Sequence, residues 1–191
     1  MNKLFVSAAL LLAGVNLVPA TTTLVSNLSP TTAKNDDWML GPYLLQSFTT
    51  GDAATLSNLK IGSSWTAGNS PTVSLLDSGR NLVASFVYDS NTGGTSYNVQ
   101  GGSFALQSSS TYFVQLANGN GYLNVTTTTT ETGLPSWTIG NGFLIGDDSS
   151  ASFQSSQIMQ FSLSGVPEPA TSSLLAIGLG LFTLARRRSR A

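Results

Sequence analysis

Between Thr21 and Gly165 the apolar residues recur at every second position, and this period constrains the fold more than any other feature of the chain. Val73 and Leu75 alternate with Thr72 and Ser74. Leu82, Ala84, Phe86 and Tyr88 form a second set, Tyr112, Val114 and Leu116 a third, and Met159, Phe161 and Leu163 a fourth. Successive side chains of a strand point to opposite faces, so each set lines one face of a half-buried strand. Less regular candidates run over 43–50, 56–63, 103–106, 122–128 and 142–145. Turn-forming residues separate them: Thr50-Gly51-Asp52, Asp77-Ser78-Gly79, Asn91-Thr92-Gly93-Gly94, Ser108-Ser109-Ser110 and Asn118-Gly119-Asn120-Gly121. No amphipathic helix interrupts the series. The expected fold is all-β, a two-layer antiparallel sandwich or jelly roll in which two stacked sheets bury their inner faces. The run Thr126–Thr130 is β-branched and reads as a further strand.

The polar positions carry little charge. Only 9% of the 191 residues are Asp, Glu, Lys or Arg, against about 25% in ordinary globular domains. Ser, Thr, Asn and Gly take their place, which suits short strands and turns rather than soluble helices. Cysteine and histidine are both absent. That excludes disulfides, thiolate nucleophiles, zinc sites of the Cys/His type and any catalytic pair that needs an imidazole base. Within residues 21–165 three basic residues (Lys34, Lys60, Arg80) face eight acidic ones, a net charge of −5. A phosphate backbone requires a basic patch, so a nucleic-acid partner is not expected.

The two ends differ from the body. Lys3 precedes an apolar run from Leu4 to Val18, followed by Pro19-Ala20. This is the layout of a signal peptide, residues 1–20, with cleavage after Ala20 by signal peptidase after entry through the Sec translocon. The body then spans 21–165. The tail, 166–191, opens on Val166-Pro167-Glu168-Pro169, where proline is expected to break the preceding strand. Sixteen uncharged residues, Ala170 to Ala185, lead to Arg186, Arg187, Arg188 and Arg190. A helix of that length reaches about 24 Å, marginal for a hydrocarbon core of about 30 Å. The arginines would act as a cytoplasmic stop-transfer cluster.

Pro167-Glu168-Pro169, the short apolar run and the arginine cluster, in that order at the extreme end, resemble the PEP-CTERM sorting signal of Gram-negative bacteria. The resemblance implies an exosortase-type transpeptidase as partner, a transient inner-membrane anchor, and a destination on the cell surface or in an exopolysaccharide, biofilm-associated matrix. The tail would then behave like a GPI signal, an apolar segment removed after delivery. The body in turn is similar to the "choice-of-anchor" ectodomains, through Gln46-Ser47-Phe48-Thr49-Thr50-Gly51, Val73-Ser74-Leu75-Leu76-Asp77 and the stretch from Leu106 to Leu116. That resemblance carries no site with it.

Three groups of residues are candidates for chemistry. Asp36-Asp37 and Asp147-Asp148 have the oxygen chemistry of a structural calcium site but no EF-hand spacing, and read as solvated loop carboxylates. No other metal or cofactor is expected. Asp52, Asp77, Asp89 and Glu131 could in principle run glycoside hydrolysis, but most sit beside Gly or Ser in turns, where Asp is favoured structurally. No catalytic residue is assigned, and the protein is read as a non-enzyme. Trp38, Trp65 and Trp137 are the candidate ligand-binding residues, since indole faces stack on sugar rings; core packing is the competing reading. The leading function is a non-enzymatic exported surface or matrix protein. The alternative is a carbohydrate-binding module acting on exopolysaccharide, and a weak hydrolase is a third reading. An aromatic-lined groove would favour the second, and two carboxylates about 5–10 Å apart the third.

Overall fold

The computed structural model describes residues 20–28, 34–39, 43–65, 70–89, 95–118, 120–127, 131–146, 152–154 and 157–168, which contain strands and turns and no helix. In chain order the strands are β1 (Thr22–Ser26), β2 (Lys34–Met39), β3 (Leu44–Thr49), β4 (Ala54–Ile61), β5 (Ser63–Trp65), β6 (Thr72–Leu76), β7 (Leu82–Tyr88) and β8 (Ser96–Val99). They continue as β9 (Phe104–Leu106), β10 (Thr111–Ala117), β11 (Asn120–Thr126), β12 (Thr132–Gly133), β13 (Thr138–Ile145), β14 (Ser152–Gln154), β15 (Ile158–Met159) and β16 (Phe161–Pro167).

Twelve strands form one antiparallel sheet in the order β12-β1-β16-β4-β8-β7-β6-β10-β3-β13-β14, with β9 also on β4. The four others form a second sheet, β15-β11-β2 with β5 also on β11. The large sheet curls until its distant parts face each other. Phe48 of β3 and Phe161 of β16 are far apart in strand order, yet their ring centroids are 6.3 Å apart. One hydrophobic core fills the interior, and Leu123, Val125 and Met159 of the second sheet belong to it. Phe48 is fully buried, against Tyr112 at 5.7 Å and Trp137 at 6.4 Å, the latter ring nearly parallel at 9°. Each such buried side chain contributes about 1.5–3 kcal/mol. On the opposite face of β3, Leu45 joins Tyr43 and Leu76 in a small satellite cluster.

Two polar side chains tie distant strands of the large sheet to β15 of the second. Gln46 is fully buried in β3. Its Nε2 donates to the carbonyls of Gly140 (2.8 Å) and Gly142 (3.2 Å), and its Oε1 accepts from the Met159 amide at 3.0 Å. The ladder shows why those carbonyls need a partner. Pairing with β3 jumps from Ile139↔Phe48 to Phe143↔Gln46, so β13 carries a bulge whose carbonyls leave the ladder. Asn27, 3% exposed, completes the same region: Nδ2 donates to Met159 O at 2.9 Å and Oδ1 accepts from the Phe161 amide at 2.8 Å.

The two sheets meet at a closed ring of three backbone bonds. Gly62 N–H donates to Gln160 O (2.8 Å), Gln160 N–H to Asn124 O (2.9 Å), and Asn124 N–H to Gly62 O (2.7 Å). Gly62 links β4 to β5 and Gln160 links β15 to β16, so two strands change sheet here and β11 bridges them. A Cβ on Gly62 would stand 3.0 Å from Gln160 Cβ and 3.2 Å from Asn124 Cβ. Close approach, rather than a turn, therefore requires this glycine.

The all-β expectation holds, and all four alternating sets lie in strands. Three details differ. Asp36 and Asp37 are not in a loop: their backbone pairs in β2 opposite Leu123 and Tyr122. Of the threonine run, Thr126 ends β11, and residues 128–130 lie outside the described set. β16 runs past residue 165, the expected end of the body, into the motif and ends at its first proline, Pro167. Residues 1–19, Asp147, Asp148 and the tail from Pro169 onward lie outside the described residues.

Candidate functional site

The segment of interest begins inside the sheet. β16 is an internal strand, flanked by β1 on one side and β4 on the other. On the β1 side the ladder ends at Thr22↔Gly165. On the β4 side it runs on through Val166↔Thr55 and Pro167↔Ala54, and the Glu168 amide then donates to Ala53 O at 3.0 Å. Successive N–H groups of a strand alternate sides. Glu168 donates toward β4, so the Pro167 nitrogen points to the β1 side, where pairing has already ended. Proline is tolerated here because the hydrogen bond it cannot donate is not needed.

Gly165 sits at a register shift after Ser164. A Cβ there would collide with the Thr55 carbonyl and stand 3.0 Å from Leu56 Cα, so β16 can lie this close to β4 only with glycine at that position. Glu168 is exposed. Ala20 and Thr21, also exposed, lie just before β1. Because β1 and β16 are antiparallel neighbours, the strand that follows the expected cleavage site starts beside the strand that enters the tail.

The body is thus an all-β domain whose last strand passes without a linker into a proline-glutamate-proline segment. Residues 165–190 match the PEP-CTERM protein-sorting motif. That motif is recognised by an exosortase-type system and marks an exported protein sorted through a C-terminal membrane anchor. No curated protein matches the chain. Among the described residues no helix is long and apolar enough to cross a membrane. Arg186, Arg187, Arg188 and Arg190 lie outside the described residues.

The three tryptophans separate into two groups. Trp137 is 4% exposed and lies in the core over Phe48, with its Nε1 lacking a hydrogen-bond partner. Trp38 and Trp65 stand directly opposite one residue, Gly121, on either side of β11. Gly121 shares its side of β11 with Leu123 and Val125, which are buried.

The carboxylates are spread out. Asp77 and Asp89 flank opposite ends of β7. Asp77 Oδ1 accepts from the Asn81 amide at 2.9 Å, and the Asn81 side chain donates to both oxygens. The Asn81 backbone bond first, and the Asn81 side chain second, hold this carboxyl below its ordinary value of 3.8. Glu131 Oε1 accepts from the Ile139 amide at 2.7 Å and fixes the start of β13. Among the described residues no three acidic side chains gather as a metal-binding group.

Sequence reasoning missed β1. Leu24 and Val25 are adjacent and both buried, so the strand lacks the alternation that marks the others. Only its position opposite β16 would have given it away.

Proposed function

We propose that this protein is a non-enzymatic component of the cell surface or extracellular matrix, with a β domain of the choice-of-anchor, sandwich or jelly-roll kind delivered by its tail. The observation that carries this reading is the direct run of β16 into the sorting motif. The motif continues a strand that is clamped between two neighbours as far as Gly165, which ties the tail to the body that is to be displayed. The outward rows of the sheet fit the same role. Asn58 Nδ2 donates to Asn98 Oδ1 at 3.0 Å and Ser96 Oγ at 2.8 Å, and Ser74 pairs with Ser85 and Gln115. With exposed Val87 opposite Asn98 and exposed Lys60 opposite Ser96, these rows are still rich in amide and hydroxyl groups, which suits a hydrated polysaccharide matrix. Mass spectrometry of the mature protein from its native host tests the reading. We expect a chain beginning near Thr21 and lacking the arginine-rich end, recovered from the envelope or matrix. An intact Arg190-Ala191 terminus on most molecules refutes it.

A second reading, a carbohydrate-binding module for exopolysaccharide, rests on the indole chemistry of Trp38 and Trp65, which stand opposite Gly121 in register. Retention on immobilised exopolysaccharide, lost in Trp38→Ala and Trp65→Ala, supports it. Equal retention of the variants and the wild type sinks it.

A further inference from the structure

The first residues of the matched sorting segment, Gly165 to Pro167, are also the last residues of β16. One stretch of chain therefore serves two partners. We propose that the sheet latches the sorting motif, and that the processing enzyme engages Val166–Glu168 only after this segment peels away from β4. The inference rests on the exosortase-sorted reading and adds to it a dependence on the fold.

Four observations carry it. An enzyme that holds an extended peptide needs the peptide's backbone groups free to pair with its own. Here the Glu168 amide is committed to Ala53 O at 3.0 Å, and Val166 and Pro167 are in register with Thr55 and Ala54. Beyond Gly165 the strand has β4 alone for a neighbour, since pairing to β1 ends at Thr22. The register shift after Ser164 separates this end from the rest of β16, so it can open without unzipping Phe161–Leu163, which are buried. The strand it leaves stays in place: β4 keeps β9 through Ala54↔Leu106 and Leu56↔Phe104. The result is a short flap on a fixed support. Each backbone hydrogen bond contributes about a twofold to tenfold preference for the closed form, so the open form is a minor species, roughly one molecule in ten to one in a hundred.

The test is a removable staple. The chain contains no cysteine, so the pair Thr55→Cys with Val166→Cys, opposite each other in register, can form only one intramolecular disulfide in an oxidising compartment. In pulse–chase labelling in the native host, the stapled chain is expected to lose its arginine-rich end at least about tenfold more slowly than wild type, with recovery on adding reductant. Each single-cysteine variant should process normally. Trimming of the stapled chain at the wild-type rate overturns the latch, because the motif would then be recognised before the sheet closes. A wild-type chain that is never trimmed refutes the sorting reading and the latch with it. Amide exchange on the purified full-length protein gives a readout independent of the enzyme. The Glu168 amide should exchange at least about tenfold faster than that of Leu163, and equal rates would also overturn the proposal.

Discussion

Replacing Gln46 with leucine tests the account of how the large sheet is tied to β15. The substitution keeps most of the side-chain volume and removes every polar atom. Among the backbone groups that then lose this partner are the carbonyls of half-buried Gly140 and buried Gly142 and the amide of Met159. Each orphaned group costs about 1–3 kcal/mol. Burying leucine in place of an amide returns about 1 kcal/mol, and small shifts in the bulge relieve part of the remainder. The expected net loss is about 3 kcal/mol. For a domain of this size that lowers Tm by about 6–12 °C. Urea unfolding followed by tryptophan fluorescence measures it, since Trp137 is buried beside Phe48. The midpoint should fall without a change in slope. Gln46→Glu should do no better, because a carboxylate can accept from Met159 but has no proton for the two carbonyls. A Gln46→Leu protein within about 1 kcal/mol of wild type would show that water or backbone movement satisfies these groups, and the reasoning would fail.

Three further outcomes follow from single contacts. Gly62→Ala should destabilise by about 1–3 kcal/mol, because its methyl meets Gln160 and Asn124 at the three-strand ring; an unchanged melting curve refutes the close approach. Trp137→Phe should stay within about 1 kcal/mol of wild type, since lost packing is offset by removing a buried N–H that has no partner. A much larger loss in the urea midpoint would mean that Nε1 is bonded. Asp77 should titrate below 3.8 by carboxyl NMR. Its folded-state value is lowered, so the turn it closes with Asn81 is fully supported above that pH and weakens as pH falls through the lowered value. A midpoint at or above 3.8 contradicts the hydrogen bonds.

Most of the body could be read from alternation, because a half-exposed strand writes its burial into the sequence one residue in two. Val73–Leu75 and Tyr112–Leu116 follow that rule and lie in β6 and β10. Strands outside the rule were invisible. β1 buries neighbours Leu24 and Val25, and β2 reads Lys-Asn-Asp-Asp-Trp-Met, a polar string that resembles a loop. The curl of the large sheet was also beyond reach, since it brings together residues as distant in the chain as Phe48 and Phe161. The sorting motif was legible as residues in order. Its attachment was not: Pro167 still pairs with Ala54, because the N–H that proline lacks would have faced the β1 side, where pairing has ended.

The pairing of β1 with β16 has a consequence for how the molecule is made. The earliest strand to emerge must wait for the latest, and Asn27 reaches across 132 residues to Met159. During export the chain cannot zip itself closed until nearly all of it has crossed. By then the apolar tail is already arriving at the bilayer. Completion of the fold and arrival at the membrane coincide, and the finished body hangs from a strand that was also its final closing seam.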